Sequence, residues 1–363
     1  MTKILIPFET SIGERRVSAT PETVKKLKNL GCDVYIEKSA GELSGFKDFS
    51  YEESGGIIFT KQDFNHWKEA DIIFCIHCPE YEKLNKLKEG CLIIGLLNPF
   101  ANKDLAKILS DLKLSAIALE LLPRISRAQS SDVLSSQANI AGYKSVLLAA
   151  SELDRYFPML MTAAGTVQPA KVVVLGGGVA GLQAVATAKR LGALVFVSDI
   201  RPVVKEQVES LGAKFINLPE IDEKPTESGG YAKAVSTKFL EEQRAILSKH
   251  LSEADVAICT AQVLGKKAPI LIDEKMLENM RTGSVVVDLA VAQGGNCVHT
   301  KQNQIVIKNG VKLIGASELP ASVPYHASSL YSKNLISLIT PFINNGILNI
   351  NKNDEIILGC LIS

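Results

Sequence analysis

Lys171-Val172-Val173-Val174-Leu175-Gly176-Gly177-Gly178-Val179-Ala180-Gly181 is the stretch on which the fold turns. Five strand-forming residues run into G-x-G-x-x-G at 176, 178 and 181. A helical pattern then continues from Leu182 to Leu191, where Gly192 suits the left-handed end. The next apolar run, Leu194-Val195-Phe196-Val197, leads to Asp199, 18 residues past the last glycine of the motif. Strand, glycine turn, helix, strand and acidic residue together make the dinucleotide-binding fingerprint. Glycines allow a tight turn and close backbone approach, so N–H groups at the helix start, around Gly178, Val179 and Ala180, can meet a pyrophosphate. A glycine turn serving packing alone is the bland alternative.

Asp199 is spaced to chelate adenosine ribose hydroxyls, and a carboxylate there repels a 2′-phosphate, which selects NAD over NADP. Arg201 complicates this. A nearby arginine can accept the phosphate, stack on the adenine or simply be solvated. Gln262, just past the strand-like Ile258-Cys259-Thr260-Ala261, sits where open α/β sheets bind ligands, with an ordinary loop amide as the other reading. The polar run from Pro219 to Tyr231, with its Gly229-Gly230 hinge, reads as a lid over the site or as an unstructured insertion.

Outward from this core the same alternation recurs. Asp255 to Cys259, Ser284 to Val287 and Val311 to Ile314 are strands of the same half. In the first half Lys3-Ile4-Leu5-Ile6, Val34-Tyr35-Ile36, Ile57-Ile58-Phe59, Asp71 to Phe74, Cys91 to Leu97 and Ser115 to Leu119 alternate with polar helical segments. Continuous apolar strands between amphipathic helices indicate parallel βαβ units. The helix at 21–30 is well punctuated, with Thr20 at its cap, Pro21 in its first turn and Gly31 at its end. Ser135 to Phe157, with Ile140, Tyr143, Leu147, Ala150 and Leu153 at helical spacing, reads as a helix tying the halves together. After Pro320, Leu335, Leu338 and Ile339 share a helical face that should return to the first half. The expected architecture is α/β: two doubly wound Rossmann-like domains with a cleft between them. Residues 1–134 plus 318–363 form a discontinuous N-terminal domain, and 135–317 the nucleotide-binding one.

Composition narrows the function classes. The 363 residues carry 40 Lys+Arg against 39 Asp+Glu, a net +1, which argues against a nucleic-acid partner. No apolar run approaches the ~18 residues that cross a bilayer, and Met1 to Pro7 reads as a first strand rather than a signal peptide. Seven scattered cysteines fit buried thiols in a reducing compartment. Cys75-Ile76-His77-Cys78 has redox or zinc spacing, yet it lies in a strand-like run without two further ligands at matching spacing. Packed thiols are the simpler reading, and no metal is expected.

Arg124-Ile125-Ser126-Arg127-Ala128-Gln129-Ser130-Ser131-Asp132-Val133-Leu134-Ser135, followed by Ala163-Ala164-Gly165-Thr166 and the glycine turn, closely resembles the NAD(H)-binding domain of proton-translocating NAD(P) transhydrogenases. The resemblance runs from Glu14-Arg15-Arg16-Val17 to Asp288-Leu289-Ala290 and Gly294-Gly295-Asn296-Cys297, essentially the whole chain. It implies a loop facing the nicotinamide, with Arg124, Gln129, Asp132 and Ser135 as the catalytic set and Ser130 and Ser131 among the cofactor contacts. Gln129 is further implied to reach toward NADP(H) on a partner subunit. Val179, Asp199, Ile200, Arg201, Gly230, Gln243 and Gln262 match the remaining NAD positions. Read without the family, Arg124 or Arg127 is a surface arginine and Ser135 an N-cap; for Arg127 the bland reading is preferred.

The implied activity is direct hydride transfer between NADH held here and NADP⁺ held by a partner. Proton translocation would occur in separate membrane-spanning chains, the second segment of a split alpha subunit and the beta subunit. The implied state is a cytoplasmic homodimer, peripheral on the inner face of the membrane through those partners. Passing hydride between two nicotinamides needs positioning and exclusion of water but no proton-transfer side chain. An amino-acid dehydrogenase needs a placed acid or base. The alternative, alanine dehydrogenase, uses a lysine and a histidine in runs that read here as Phe74-Cys75-Ile76-His77-Cys78-Pro79 and Gly95-Leu96-Leu97-Asn98-Pro99-Phe100. His77 is the one substitute base on offer, and a half-buried strand histidine accounts for it more simply. A non-catalytic NAD sensor is a third reading, disfavoured by the intact polar loop.

Overall fold

The computed structural model describes residues 1–218 and 237–362. The chain forms two compact units, Met1–Gln137 with Pro320–Ser363, and Ala138–Leu319. In the first, β1 (Lys3–Ile6), β2 (Asp33–Glu37), β3 (Ile57–Phe59), β4 (Ile72–His77), β5 (Leu92–Leu96) and β6 (Ser115–Ala118) make one parallel sheet. Its order is β3-β2-β1-β4-β5-β6. The strand sequence therefore reverses direction beside β1, as in a doubly wound sheet. Both faces are covered, which explains why these strands are apolar throughout. Ile4, Ile6, Ile72, Phe74 and Ile76 pack in one core, while Leu5, Ile73 and Cys75 pack in another with Trp67, Leu105 and Leu109.

The long helix Pro324–Ile339, from the returning part of the chain, belongs to the first of these cores. Tyr331, Leu335, Leu338 and Ile339 are buried there, and the Tyr331 hydroxyl donates to the Cys75 carbonyl at 2.6 Å. Further on, Leu361 bridges Ile117 at the edge of β6.

The second unit begins within helix Val133–Glu152, and a hairpin of β7 (Leu160–Thr162) and β8 (Gly165–Val167) follows. Its sheet comprises β9 (Lys171–Leu175), β10 (Leu194–Ser198), β11 (Lys214–Phe215), β12 (Val256–Cys259), β13 (Val285–Asp288), β14 (Ile305–Lys308) and β15 (Val311–Gly315). The order is β11-β10-β9-β12-β13-β15-β14, with β14 alone antiparallel. Alternation again divides each strand between two cores: Val172 and Val174 on one face, Val173 and Leu175 on the other.

Two boundaries differ from the sequence reading. The connecting helix runs Val133–Glu152, not Ser135 to Phe157. It starts early because Asp132 caps it, and Phe157, preceding Pro158, is disfavoured in helical conformation. The sequence reading also lacks β14 and its turn, although Asn309-Gly310, at φ 53° and 75°, is a strong hairpin signal.

Candidate functional site: a glycine turn and a polar loop

At the end of β9 the chain turns through Gly176, whose φ of 106° favours glycine. The glycines do different things. A Cβ at Gly176 would lie 2.6 Å from Thr260 Oγ1, one at Gly177 would meet Val204 at 2.3 Å, and one at Gly181 would sit 1.9 Å from the Gly176 carbonyl oxygen. These three are closed by the protein itself. Gly178, the cap of helix Val179–Arg190, has nothing within 4 Å of where a side chain would begin. The one open glycine thus stands where the first N–H groups of a helix lack intrahelical partners. A pyrophosphate fits that place, since it needs backbone donors and room for close approach. The helix itself is seated tightly, for a Cβ at Gly142 would be 2.0 Å from the Ala180 carbonyl oxygen.

Asp199 lies just past β10, and its side chain is only 7% exposed. Its Oδ2 accepts from Gly177 N at 2.7 Å and Arg201 Nη2 at 2.9 Å. Its Oδ1 accepts from Arg201 N at 2.8 Å and Nε at 3.0 Å. The Arg201 guanidinium folds back onto Asp199, and that hydrogen bond raises its pKa. Ile200 is half-buried between them.

Beyond β12, Thr260 Oγ1 donates to the Gly176 carbonyl at 2.9 Å, bracing the glycine turn. Gln262 is exposed, and its Nε2 donates to the Leu289 carbonyl at 2.6 Å. Two buried residues that sequence reasoning misses build this corner. Asn296 accepts from Ala261 N at 3.1 Å and donates to the Ala261 and Pro269 carbonyls. Asp288 accepts from Ala290 N, Asn296 N, Cys297 N and Thr300 Oγ1, all within 3.1 Å. Burial raises the Asp288 pKa despite those bonds. A polar residue closing an apolar strand, as Asp288 closes β13, is the available signal. Gln243 is buried in helix Thr237–Ser252. Gly230 and the expected lid lie outside the described residues.

In the first unit, Ser126–Ser131 form a 3-10 turn. Arg124, Gln129 and Ser130 border solvent, whereas Ser131 is buried. Arg127 makes a two-pronged ion pair with Asp354 at 2.7 and 2.8 Å, a structural role that agrees with its bland reading. Asn334 Nδ2 donates to the Ser130 carbonyl at 2.7 Å from the other side. Asp132 Oδ1 accepts from Ser135 N at 2.9 Å and Oδ2 from Ser135 Oγ at 2.6 Å. The cap is therefore Asp132 rather than Ser135, because helix Val133–Glu152 begins two residues before Ser135.

Charged residues also gather at the ends of β1 and β4. Glu14 holds Arg16 at 2.6 and 2.8 Å and takes His77 Nε2 at 2.8 Å. Burial alone would raise the Glu14 pKa, but Arg16 and His77 overcome it and hold the carboxyl at about 2. Burial likewise opposes charge on His77, and the Glu14 carboxylate outweighs it, raising that pKa. Glu9 accepts from Ile76 N at 2.5 Å and His77 N at 3.2 Å, and burial pushes it up to about 7. A histidine held toward its charged form is a poor substitute base. Cys75 and Cys78 are free thiols raised by burial, as packed thiols should be.

The N-terminal domain of the alanine dehydrogenase/PNT family matches residues 5–141, and its C-terminal domain matches residues 145–363. The chain is 43% identical over 369 aligned positions to the first segment of the split alpha subunit of NAD(P) transhydrogenase from Rhodospirillum rubrum, covering 99% of this chain and 96% of that one. A solved transhydrogenase from Sinorhizobium meliloti superposes with a TM-score of 0.89 at 40% identity, over 99% and 97% of the two chains. A solved L-alanine dehydrogenase is less similar, with a TM-score of 0.82 and 27% identity over 99% and 94%. By sequence and by fold, the chain belongs to the alanine dehydrogenase/PNT family and, within it, to the NAD(P) transhydrogenase alpha subunits.

Proposed function

We propose that this chain holds NAD(H) and that a hydride passes directly between it and NADP(H) held by a partner subunit. The observation that carries the reading is the glycine turn, closed at Gly176, Gly177 and Gly181 and open at Gly178. Gly176, Gly178, Val179, Ala180 and Gly181 receive the pyrophosphate, and Asp199 receives the adenosine ribose, flanked by Ile200 and Arg201. Gly230, Gln243 and Gln262 complete the cofactor set. The bound nicotinamide supplies the hydride chemistry; the protein contributes orientation and dryness, worth roughly 7–11 kcal/mol in well-aligned reactions.

Roles within the polar loop divide by position, with Asp132 and Ser135 at the helix start and Arg124, Gln129 and Ser130 at the surface. Asp132 and Ser135 spend their strongest bonds on each other, which fixes the start of helix Val133–Glu152. They hold the loop in shape, with Ser131 packed beneath. Arg124, Gln129 and Ser130 border solvent and take the nicotinamide and its carboxamide, with Gln129 reaching toward the partner's NADP(H). The bond that ties His77 Nε2 to the Glu14 carboxylate at 2.8 Å supports transfer without an acid or base over the alanine dehydrogenase reading.

Proton translocation falls to the membrane-spanning remainder of the alpha subunit and to the beta subunit, and this chain docks on them at the cytoplasmic face. No helix among the described residues is long and apolar enough to cross a membrane. A homodimer is supported by the hairpin of β7 and β8, all six residues of which are exposed, including Leu160, Met161 and Val167. A two-stranded ribbon bare on both faces is marginal in water.

The test mixes the purified chain with an NADP(H)-binding partner domain and follows hydride exchange optically, with sedimentation of the same sample. Rapid exchange on mixing, absent from either protein alone, and sedimentation as a dimer are expected. Gln129→Asn should slow exchange at least ten-fold with NADH affinity changed modestly. Reduction of NAD⁺ by L-alanine overturns the assignment, and a monomer overturns the dimer.

A further inference from the structure

We infer that Arg201 is a latent receptor for a 2′-phosphate that Asp199 holds shut, so that the pair, and not the carboxylate alone, sets the preference for NAD(H). The inference rests on the reading of Asp199 as the ribose ligand. A guanidinium is the side chain best matched to a phosphate, since its planar fork offers donors in parallel. Here one stands two residues past the ribose carboxylate with its side chain 43% exposed, so it borders solvent from which a phosphate would arrive. Its Nε and Nη2 nevertheless point at Asp199, at 3.0 and 2.9 Å.

A carboxylate offers about four lone-pair positions. Arg201 N, Arg201 Nε, Arg201 Nη2 and Gly177 N occupy that number between them. The two backbone bonds hold the carboxylate in place. The two guanidinium bonds are the ones that a ribose diol can take over, because its hydroxyls donate to the same oxygens. A 2′-phosphate has no proton to donate to Asp199 at neutral pH. It would have to draw Arg201 off a carboxylate that simultaneously repels it. The pair is therefore neutral toward an approaching phosphate, whereas an uncompensated Arg201 would attract it. Side chains of both kinds are thus built into one corner, and Asp199 decides which acts.

The prediction is a coupling between two substitutions, read by titrating NADH and NADPH into the purified chain through nucleotide fluorescence. Thermal melting with and without each nucleotide is the second readout. Asp199→Asn keeps an oxygen for Gly177 N but removes the charge. It should bind NADPH at least ten-fold tighter than the parent and NADH about ten-fold weaker. Arg201→Ala alone should gain nothing toward NADPH. Added to Asp199→Asn it should abolish the NADPH gain. If Asp199→Asn gives no cooperative melt, Asp199→Ser, which still offers Gly177 N an acceptor, is measured in the same way with the same expectation. The inference is overturned if neither variant gains NADPH affinity, or if the gain survives removal of Arg201. NADH affinity separates this failure from that of the underlying reading. If NADH weakens without a gain for NADPH, the ribose assignment stands and the role of Arg201 falls. If NADH is unmoved, Asp199 is not the ribose ligand and both fall.

Discussion

The two units wind the same kind of sheet outward from a first strand, yet they finish that strand in opposite ways. β1 lies between β2 and β4, and β9 between β10 and β12, so in each unit the strand order reverses at the corresponding place. Open α/β sheets bind ligands beyond the carboxyl ends of strands at such a reversal. In the second unit that position is a turn of glycines with backbone donors and one open approach at Gly178. In the first, the chain's own ions fill it: Glu9, Glu14, Arg16 and His77. The cavity left beside Glu9 and His77 is about 20 Å³, room for a single water. One fold therefore supplies either a receptor or a plug, depending on whether the residues after the first strand are glycines or charges.

The comparison breaks most visibly at Glu14. If the first unit's strand end is a plug, Glu14→Ala removes the two-pronged partner of buried Arg16 and should cost about 3–5 kcal/mol in urea unfolding. A loss under about 1 kcal/mol would mean that the cluster is ornamental rather than structural.

Glu9 tests the same plug through pH, with the sign opposite to Glu14. Its folded pKa of about 7 lies above the ordinary 4.5, so the folded state binds the extra proton. Stability should therefore fall as pH rises from about 4.5 to 7. Glu9→Gln should erase that slope and gain on the order of 3 kcal/mol over the parent at pH 7 and above. Glu14, held at about 2, contributes stability that is present above 4.5 and lost as pH falls toward 2. Parallel pH profiles for parent and Glu9→Gln would remove Glu9 from the account.

The smallest effect belongs to the receptor. Gly178→Ala meets no atom within 4 Å and leaves φ at −75°, so stability should fall only by the cost of a weaker helix cap, about 0.5 kcal/mol. NADH affinity should nonetheless drop about ten-fold, or ~1.4 kcal/mol, because the new methyl takes the phosphate's approach. Unchanged affinity would show that the pyrophosphate does not come in over Gly178.

Much of this is legible in the sequence alone. The glycine spacing, the strand ahead of it and Asp199 lie within 29 consecutive residues, so local pattern suffices to frame the site. Doubly wound sheets also announce themselves through strands apolar on both faces. The plug is invisible for the converse reason. Arg16 meets Gln137 at 3.0 Å across 121 positions, and nothing local marks Glu14 as buried or Glu9 as half-buried. The bracing of the polar loop is equally non-local, since Asn334 and Asp354 reach it from more than 200 positions away. Ser135 reads as a cap because an Asp three residues earlier is an equally good one, and only the observed helix start distinguishes them.

The return of the chain to its first unit has a consequence during synthesis. Val17 N donates to Ser328 Oγ, Thr2 N to the Gly346 carbonyl, and Tyr331 fills the core beneath β4. These partners emerge from the ribosome more than 300 residues after the segments they complete, or some 250 in the case of Tyr331 and Cys75. The second unit, Ala138–Leu319, is contiguous and can close while translation is still running. The first must wait with the exposed apolar edges of its sheet until the last helices appear. The later-encoded half of the molecule is thus the one that can mature first, and the nucleotide turn can be in place before the sheet that opens the chain is finished.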